Sequence, residues 1–356
     1  MITTKAELSN NKQADKKAIK CVVWDLDNTL WNGVLLEDDR VSLRNQVVDI
    51  IKILDSRGIL QSIASKNDYA RAMAQLQEFG LHEYFLYPQI NWNSKSSSIH
   101  EIAQSLNLGI DTFAFIDDQL FELEEVNFSL PEVLCINAAE LAHILDMPEM
   151  NPRFITEDSK LRRLMYISDV DRNNSEKNFV GTQEEFLATL NMTFTISSAQ
   201  EEDLQRAEEL TVRTNQLNTT GYTYSYDELN HFCQSDKHKL LIASLDDKYG
   251  SYGKIGLALV ECQELVWTIK LLLMSCRVMS RGVGTIMLNY IMTLAKNNNV
   301  RLRSEFVSNN RNRMMYVSYK FAGFKEAEKR GDLQILENEL TRIQPFPEYV
   351  KVNIRN

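Results

Sequence analysis

Two aspartates one residue apart, Asp25 and Asp27, follow the apolar run Cys21-Val22-Val23-Trp24 in the string CVVWDLDNTLWNG. Three more clusters of chemically useful side chains follow in the first half of the chain. Ser65 and Lys66 close the run GILQSIAS, Lys95 lies in INWNSKS, and Asp117 and Asp118 end TFAFIDD. Paired carboxylates suit a hard cation such as Mg2+, which keeps several waters and takes a phosphate oxygen. A lysine ammonium and a hydroxyl hold the remaining phosphate oxygens and stabilise charge during transfer. One Asp-x-Asp alone most often caps a loop, but four such clusters in series are hard to explain as capping.

These residues act together only if the fold gathers them. Apolar strands are expected at Cys21–Trp24, 58–65, 112–118 and 130–137, with a further extended piece at 85–87. Helical stretches are expected around 45–57 and 69–79, and a loop then a helix follows Ile90. Strands of this kind alternating with helices predict an α/β fold with a doubly wound parallel sheet. Ligands bind such a sheet at the carboxyl ends of its strands, where all four clusters emerge.

The strings WDLDNTL, Ser65-Lys66, Lys95 and IDD resemble the four signatures of the haloacid dehalogenase superfamily of phosphotransferases. The longer strings WDLDNTLWNGVLLEDD, IASKND, INWNSKS and LNLGIDTFAFIDD resemble one branch of it, the FkbH-like proteins of polyketide assembly lines. The resemblance spans most of residues 20–140. It implies that Asp25, Asp117 and Asp118 hold Mg2+, that Asp27 adds a backbone carbonyl to the metal and a carboxylate to acid–base chemistry, and that Ser65, Lys66 and Lys95 bind phosphate. After IDD that branch continues Asn-Pro, whereas this chain has Gln119-Leu120, so the turn lacks proline's rigidity.

The second half restarts with a strand at 193–196 and helices at 202–213 and 226–233. Strands around Leu240, Ile255 and Val266 follow, then a helix at 281–298, a strand at 300–307 and a helix at 312–321. This order resembles a mixed α/β acyltransferase fold of the GCN5-related type, carried here by RTNQLNTTGYTYS and MSCRVMSRGVGTIML. The expected organisation is a leader at 1–19, a dehalogenase-like domain at 20–147, a linker helix at 148–178 and an acyltransferase-like domain at 179–356. In that fold a glycine-rich turn opens a helix whose free N–H groups hold a pyrophosphate. The turn here is Arg281-Gly282-Val283-Gly284, and Met279 stands where a basic residue is expected. Arg281, Gly282, Gly284 and Asn309 are therefore candidates for holding a pantetheine arm, which has fewer phosphates than coenzyme A. Arg213, Asn215 and Gln216 are candidates for polar substrate groups.

The chain has 356 residues, five cysteines, five histidines and a net charge of −10. That charge argues against non-specific nucleic-acid binding. The longest apolar stretch, 265–276, is too short to span a bilayer and is broken by Lys270. An odd cysteine count without CxxC spacing fits reduced thiols in a cytoplasmic protein. The histidines show no metal-ligand spacing. Among the thiols Cys276 stands out, because Arg277 and the following helix start both favour a thiolate there. The resemblance implies an enzyme-bound acyl thioester, and Cys276 is its candidate site. The expected function is transfer of a glyceryl or similar hydroxyacyl group from an acyl phosphate, through that thioester, to the phosphopantetheine thiol of an acyl carrier protein. One alternative is a magnesium-dependent phosphatase fused to an acyl-coenzyme A-dependent acetyltransferase. Another is a carrier-protein docking module without catalysis.

Overall fold

The structure is a computed structural model that describes residues 18–214 and 216–355. All but the end of the expected leader, and Asn215, lie outside the described residues. The chain forms two compact units, the first ending at Ile155 and the second beginning at Thr156.

The first unit is a five-stranded parallel sheet. Its strands are β1 (Cys21–Trp24), β2 (Leu60–Ser65), β3 (Gln89–Ile90), β4 (Phe113–Asp117) and β5 (Leu134–Asn137), in the order β3-β2-β1-β4-β5. β1 is central and all four of its residues are buried, which is why its sequence is apolar without alternation. Helix α1 (Val47–Ser56) buries Val47, Ile50, Ile51 and Leu54, the single stripe expected of a helix laid on a sheet. α2 (Tyr69–Glu78) starts at Asp68, whose carboxylate accepts the Arg71 N–H, and α3 (Lys95–Leu106) starts at Ser94, whose hydroxyl accepts the Ser97 N–H. α4 (Leu120–Ser129) follows β4. The extended piece expected at 85–87 is instead an isolated bridge of Phe85 to Gln61, and the edge strand comes later, at Gln89–Ile90.

The second unit is built on an eight-stranded mixed sheet. Its strands are β6 (Met192–Ser198), β7 (His238–Asp247), β8 (Gly250–Cys262), β9 (Val266–Met274), β10 (Arg301–Val307), β11 (Lys325–Arg330), β12 (Leu333–Asn338) and β13 (Val350–Arg355). They run in the order β11-β12-β10-β9-β8-β7-β6-β13. Helices α5 (Arg162–Asn178), α6 (Gln183–Thr189), α7 (Leu204–Arg213), α8 (Tyr226–Cys233), α9 (Ile286–Asn297) and α10 (Arg313–Phe321) complete it. The hairpin of β11 and β12 and the edge strand β13 have no counterpart in the sequence-based expectations.

The segment expected as a linker helix belongs to this second unit from Thr156 onward. Its α5 is tied to the sheet by Arg172, which is fully buried. Arg172 donates from Nε and Nη2 to both carboxylate oxygens of Asp247, at 2.6 and 2.9 Å, and from Nη1 to Asp169 at 2.7 Å. The guanidinium lies 3.9 Å from the Tyr252 ring centroid. A buried arginine with this many partners is a fixed joint rather than a hinge.

A second buried charge network holds α7. Glu209 accepts from Arg162, from Arg206 Nη1 at 2.7 Å and from Arg213 Nη1 at 3.3 Å. Burial pushes the Glu209 carboxyl up, but Arg162, Arg206 and Arg213 outweigh it and hold the group well below the usual glutamate range. A carboxylate with a depressed folded pKa stabilises above its unfolded value of about 4.3, and that contribution is lost as pH falls through the folded value. Glu209→Gln should therefore cost about 3–5 kcal/mol at neutral pH, since it leaves buried guanidiniums uncompensated. Urea denaturation at neutral and acidic pH checks this, because the gap between wild type and variant should narrow as the medium is acidified.

Candidate functional site

The backbone at the end of β1 determines where its aspartates go. Asp25 N–H donates to the Ile116 carbonyl at 2.9 Å, so the β1–β4 ladder continues one residue past Trp24. The Leu26 carbonyl then accepts the N–H groups of Thr29, Leu30 and Trp31, closing a tight turn. Asn28 sits in the left-handed region at φ 53°, and its side-chain oxygen takes the Gly33 N–H at 3.1 Å. Asn and Gly are the residues that reverse a chain this sharply at small cost.

From β4 come Asp117, fully buried, and Asp118. The Asp117 carboxylate accepts the Gln119 N–H at 2.9 Å, which closes the turn into α4 without a proline. The Asp118 N–H donates to Thr29 Oγ1 at 3.0 Å, tying the two strand exits together. One carboxylate oxygen each of Asp25, Asp117 and Asp118 lies within 4.8 Å of the others. Lys95, the first residue of α3 and also buried, enters this group. Its ammonium pairs with Asp25, lies 3.0 Å from Asp117 Oδ2, and donates to the Ala64 carbonyl at 2.9 Å.

Burial raises the Asp117 carboxyl to about 6, and the nearby Asp25 adds to the effect. Burial likewise pushes Asp118 and Asp27 upward. For Lys95 burial works the other way, yet Asp25 and Asp117 outweigh it and raise its pKa. Among the described residues Asp118 Oδ1 is buried with no hydrogen-bond partner. An orphaned carboxylate oxygen costs free energy unless something cationic meets it. Three hard oxygen donors and an unsatisfied one among them fit Mg2+.

Several expected site residues stand elsewhere. The Asp27 carboxylate is outside the convergent trio, because Trp31 Nε1 and Leu35 N–H donate to one oxygen at 2.8 and 3.0 Å and Asn67 Nδ2 donates to the other at 2.9 Å. Those three donors engage both of its oxygens. Lys66 is turned to Glu122 on α4, 2.7 Å away, and not toward the carboxylates; its phosphate-binding role is corrected on that ground. Ser65 is buried at the end of β2, beside the trio's strand. Asn67 and Thr29 were not singled out from sequence. Trp31 stands four residues after Asp27 and Asn67 two after Ser65, but neither spacing announces a contact.

The second unit holds the remaining candidates. Cys276 is half-buried and opens a 3-10 turn, Cys276–Arg281. Arg281 is buried, donating from Nη1 to Glu176 at 3.1 Å and from Nη2 to Asn173 at 3.0 Å. It holds α5, so it is corrected from pantetheine binding to a structural pairing. Gly282 is left-handed at φ 68°, and a Cβ there would strike the Tyr349 hydroxyl, whereas one at Gly284 would meet open space. The Asn309 side-chain oxygen accepts the N–H groups of Arg311 and Asn312 at 2.8 and 2.9 Å and so orders the entry to α10.

Strands β9 and β10 pair in parallel from Val266–Arg301 to Ile269–Ser304 and then part. The chain fills the gap itself. Met274 N–H donates to the Leu217 carbonyl at 2.9 Å, Thr219 N–H to Leu272 at 3.1 Å, and Val307 N–H to Thr219 at 3.0 Å. Asn312 Nδ2 reaches the carbonyls of Asn218 and Val307 at 3.0 and 2.8 Å. A pantetheine arm pairing with these strands would have to displace that segment. Beside it lies a cavity of about 530 Å3 lined by Tyr222, Tyr224, Glu228, Lys270 and Glu305, among others, and by none of Arg281, Gly282, Gly284 or Asn309.

No protein-family model matches the chain, and no curated protein matches it at a significant level. Among solved structures it is similar to the N-terminal part of BF1531 from Bacteroides fragilis, which contains a phosphatase domain complexed with Mg. The two are 26% identical over 39% of this chain and 41% of that one, with a TM-score of 0.34. The ribosomal-protein-S18-alanine N-acetyltransferase of Escherichia coli is 19% identical over 40% of this chain and 92% of its own, at a TM-score of 0.33. An acetyltransferase of the GNAT family from Streptococcus pneumoniae is 18% identical over 41% of this chain and 98% of its own, also at 0.33. The strand orders described above are those of a doubly wound parallel sheet followed by a mixed sheet.

Lys95→Met tests the charge balance of the first unit. Removing the ammonium leaves Asp25 and Asp117 buried together and should cost about 3–5 kcal/mol. Thermal melts with and without Mg2+ should show the variant recovering more stability from the ion than wild type does, because the ion replaces the lost positive charge.

Proposed function

We propose that the protein moves a small hydroxyacyl group, such as glyceryl from 1,3-bisphosphoglycerate, to the phosphopantetheine thiol of an acyl carrier protein in polyketide-type biosynthesis, releasing phosphate. The observation that carries this reading is the meeting of Asp25, Asp117 and Asp118 around the ammonium of Lys95. Those three carboxylates and the Asp27 carbonyl are the residues that hold Mg2+, and the bound ion supplies positive charge to the phosphate oxygens. Lys95 adds its own positive charge and Ser65 a hydroxyl donor to the same group.

Cys276 provides the acyl acceptor. Its sulfur attacks the acyl carbon, a C–S bond forms, the C–O bond to phosphate breaks, and phosphate departs with the electron pair while the thiol proton passes to solvent. The carrier thiol then attacks the thioester carbon and restores the Cys276 thiol. An acyl phosphate is already activated, so neither step consumes ATP. The chemistry suits a reducing cytoplasm, and no nucleic acid or membrane takes part.

Intact-mass measurement after mixing protein, acyl phosphate and Mg2+ tests the proposal. A glyceryl adduct should form on wild type, be absent from Cys276→Ala, and pass to an added carrier protein. Asp117→Asn should lower the loading rate by about 10^2-fold or more. An adduct that survives Cys276→Ala removes that residue from its role, and failure to load any carrier protein removes the proposal.

A phosphatase joined to an acetyl-coenzyme A-dependent acetyltransferase is the second reading. It is favoured by the left-handed Gly282 and open Gly284 just before α9. Against it stands Met279, partly exposed where a basic residue would hold pyrophosphate. Calorimetric titration with coenzyme A should show no binding in the micromolar range; tight binding would favour the second reading.

A further inference from the structure

The acyl-transfer reading makes no use of the cavity of about 530 Å3 in the second unit. Its volume lies in the range of small-ligand sites, roughly 300–1,000 Å3. It opens where β9 and β10 part. Their last paired residues are Ile269 and Ser304, and the next residue of each strand, Lys270 and Glu305, lines the cavity. The Lys270 ammonium donates to Glu305 Oε1, so these two charges are matched. Tyr222, Tyr224 and Glu228 line the cavity as well. The two tyrosine ring centroids stand 4.6 Å apart with their planes at 68°, and Tyr224 also meets the Phe232 ring at 5.9 Å.

Glu228 is already satisfied. Its Oε2 accepts the Ser225 N–H and hydroxyl, each at 2.9 Å, and its Oε1 accepts the Tyr222 hydroxyl at 3.0 Å. It stands in the first turn of α8, where a helix favours negative charge. Burial opposes that charge, but the bonds from Ser225 and Tyr222 outweigh it and lower the Glu228 pKa. Arg330, whose charge reaches Glu305, is engaged with both oxygens of Glu328 at 2.7 and 2.9 Å. Hydrogen-bonding capacity nevertheless remains around the cavity. Among the described residues Glu305 Oε2 and the Tyr224 hydroxyl have no hydrogen-bond partner, and Lys270 Nζ has one, so two of its N–H groups are idle. Burial, with Glu305 next, pushes the Tyr224 hydroxyl well up, so it stays a protonated donor at neutral pH.

We propose that this cavity binds a neutral sugar ring, with vicinal hydroxyls on Glu305 and Lys270 and a C–H face against Tyr222 and Tyr224. The two oxygens of a vicinal diol lie about a hydrogen-bond length apart, as do the carboxylate and ammonium of an ion pair. One hydroxyl donates to Glu305 Oε2 while its neighbour accepts from Lys270 Nζ, and the Tyr224 hydroxyl supplies a third contact. The steeply inclined tyrosine rings form a corner whose apolar walls suit the C–H groups of a pyranose. Charge separates this ligand from others. An amine needs a carboxylate without a partner, and Glu228 and Glu305 both have theirs. A phosphate would meet two carboxylates across one ammonium. A neutral polyol leaves the ion pair intact and engages only its idle valences. Glu228 holds the Tyr222 hydroxyl and Phe232 packs on the Tyr224 ring, so little ordering is left for the ligand to impose.

Saturation-transfer NMR on the full chain tests this, with the methyl α-pyranosides of glucose, mannose and galactose as probes and propylamine and methyl phosphate as controls. At least one glycoside should receive transfer at its ring C–H protons and bind with a Kd of about 10 mM or tighter. Glu305→Gln and Tyr222→Ala should each weaken that binding about tenfold, through loss of a charged hydrogen bond or of an aromatic wall. Tyr222 is 51% exposed, so its truncation spares the core. No transfer to any of the three glycosides overturns the proposal without a variant. So does glycoside binding of equal strength in wild type and both variants, or propylamine or methyl phosphate binding that Glu305→Gln abolishes. Neither Mg2+ nor an acyl phosphate enters the experiment, so its outcome is separate from that of the acyl-loading test.

Discussion

The first unit depends on one balance of charge, a single ammonium set among carboxylates where parallel strands end. At about 3 Å such charges interact by several kcal/mol even at the effective dielectric of a protein surface, and more in a buried pocket. The cost of burying them unpaired is larger still. This requirement constrains the surrounding fold. Lys95 must open α3, where Ser94 caps the helix and points the chain back under β1 and β4. Asp25 must stay in the ladder, and β1 must be apolar throughout to occupy the middle of the sheet. The turn from Leu26 to Gly33 must reverse the chain, and the contacts of the Asp27 carboxylate with Trp31, Leu35 and Asn67 hold it.

The second unit meets the opposite problem. Its buried charges are mainly guanidiniums. Arg172 and Arg281 are spent on holding α5 against the sheet. Arg162, Arg206 and Arg213 instead gather on Glu209. The first arrangement joins a helix to the sheet, and the second gathers three guanidiniums on one carboxylate. The same residue type serves both, and the number of acceptors facing each guanidinium tells them apart.

Strands β9 and β10 part after Ile269 and Ser304. A gap between parallel strands exposes backbone donors and acceptors that something must satisfy. Here Leu217, Thr219 and the Asn312 carboxamide do so from within the chain. A ligand that pairs with those strands therefore competes with an internal segment.

What the sequence determined by itself is the local alternation of apolar and polar residues. It located β1, β2 and β4 and the acid and lysine clusters at their ends, because a buried parallel strand needs an unbroken apolar run and its exit needs a polar one. The helices Val47–Ser56 and Tyr226–Cys233 were legible for the same reason. Partner choice was not legible. Lys66 finds Glu122, Arg281 finds Glu176, and Arg162, Arg206 and Arg213 share Glu209 across separations that no periodicity encodes. The tertiary structure decided which charges meet one another, because that depends on distances and burial created only when distant segments pack together.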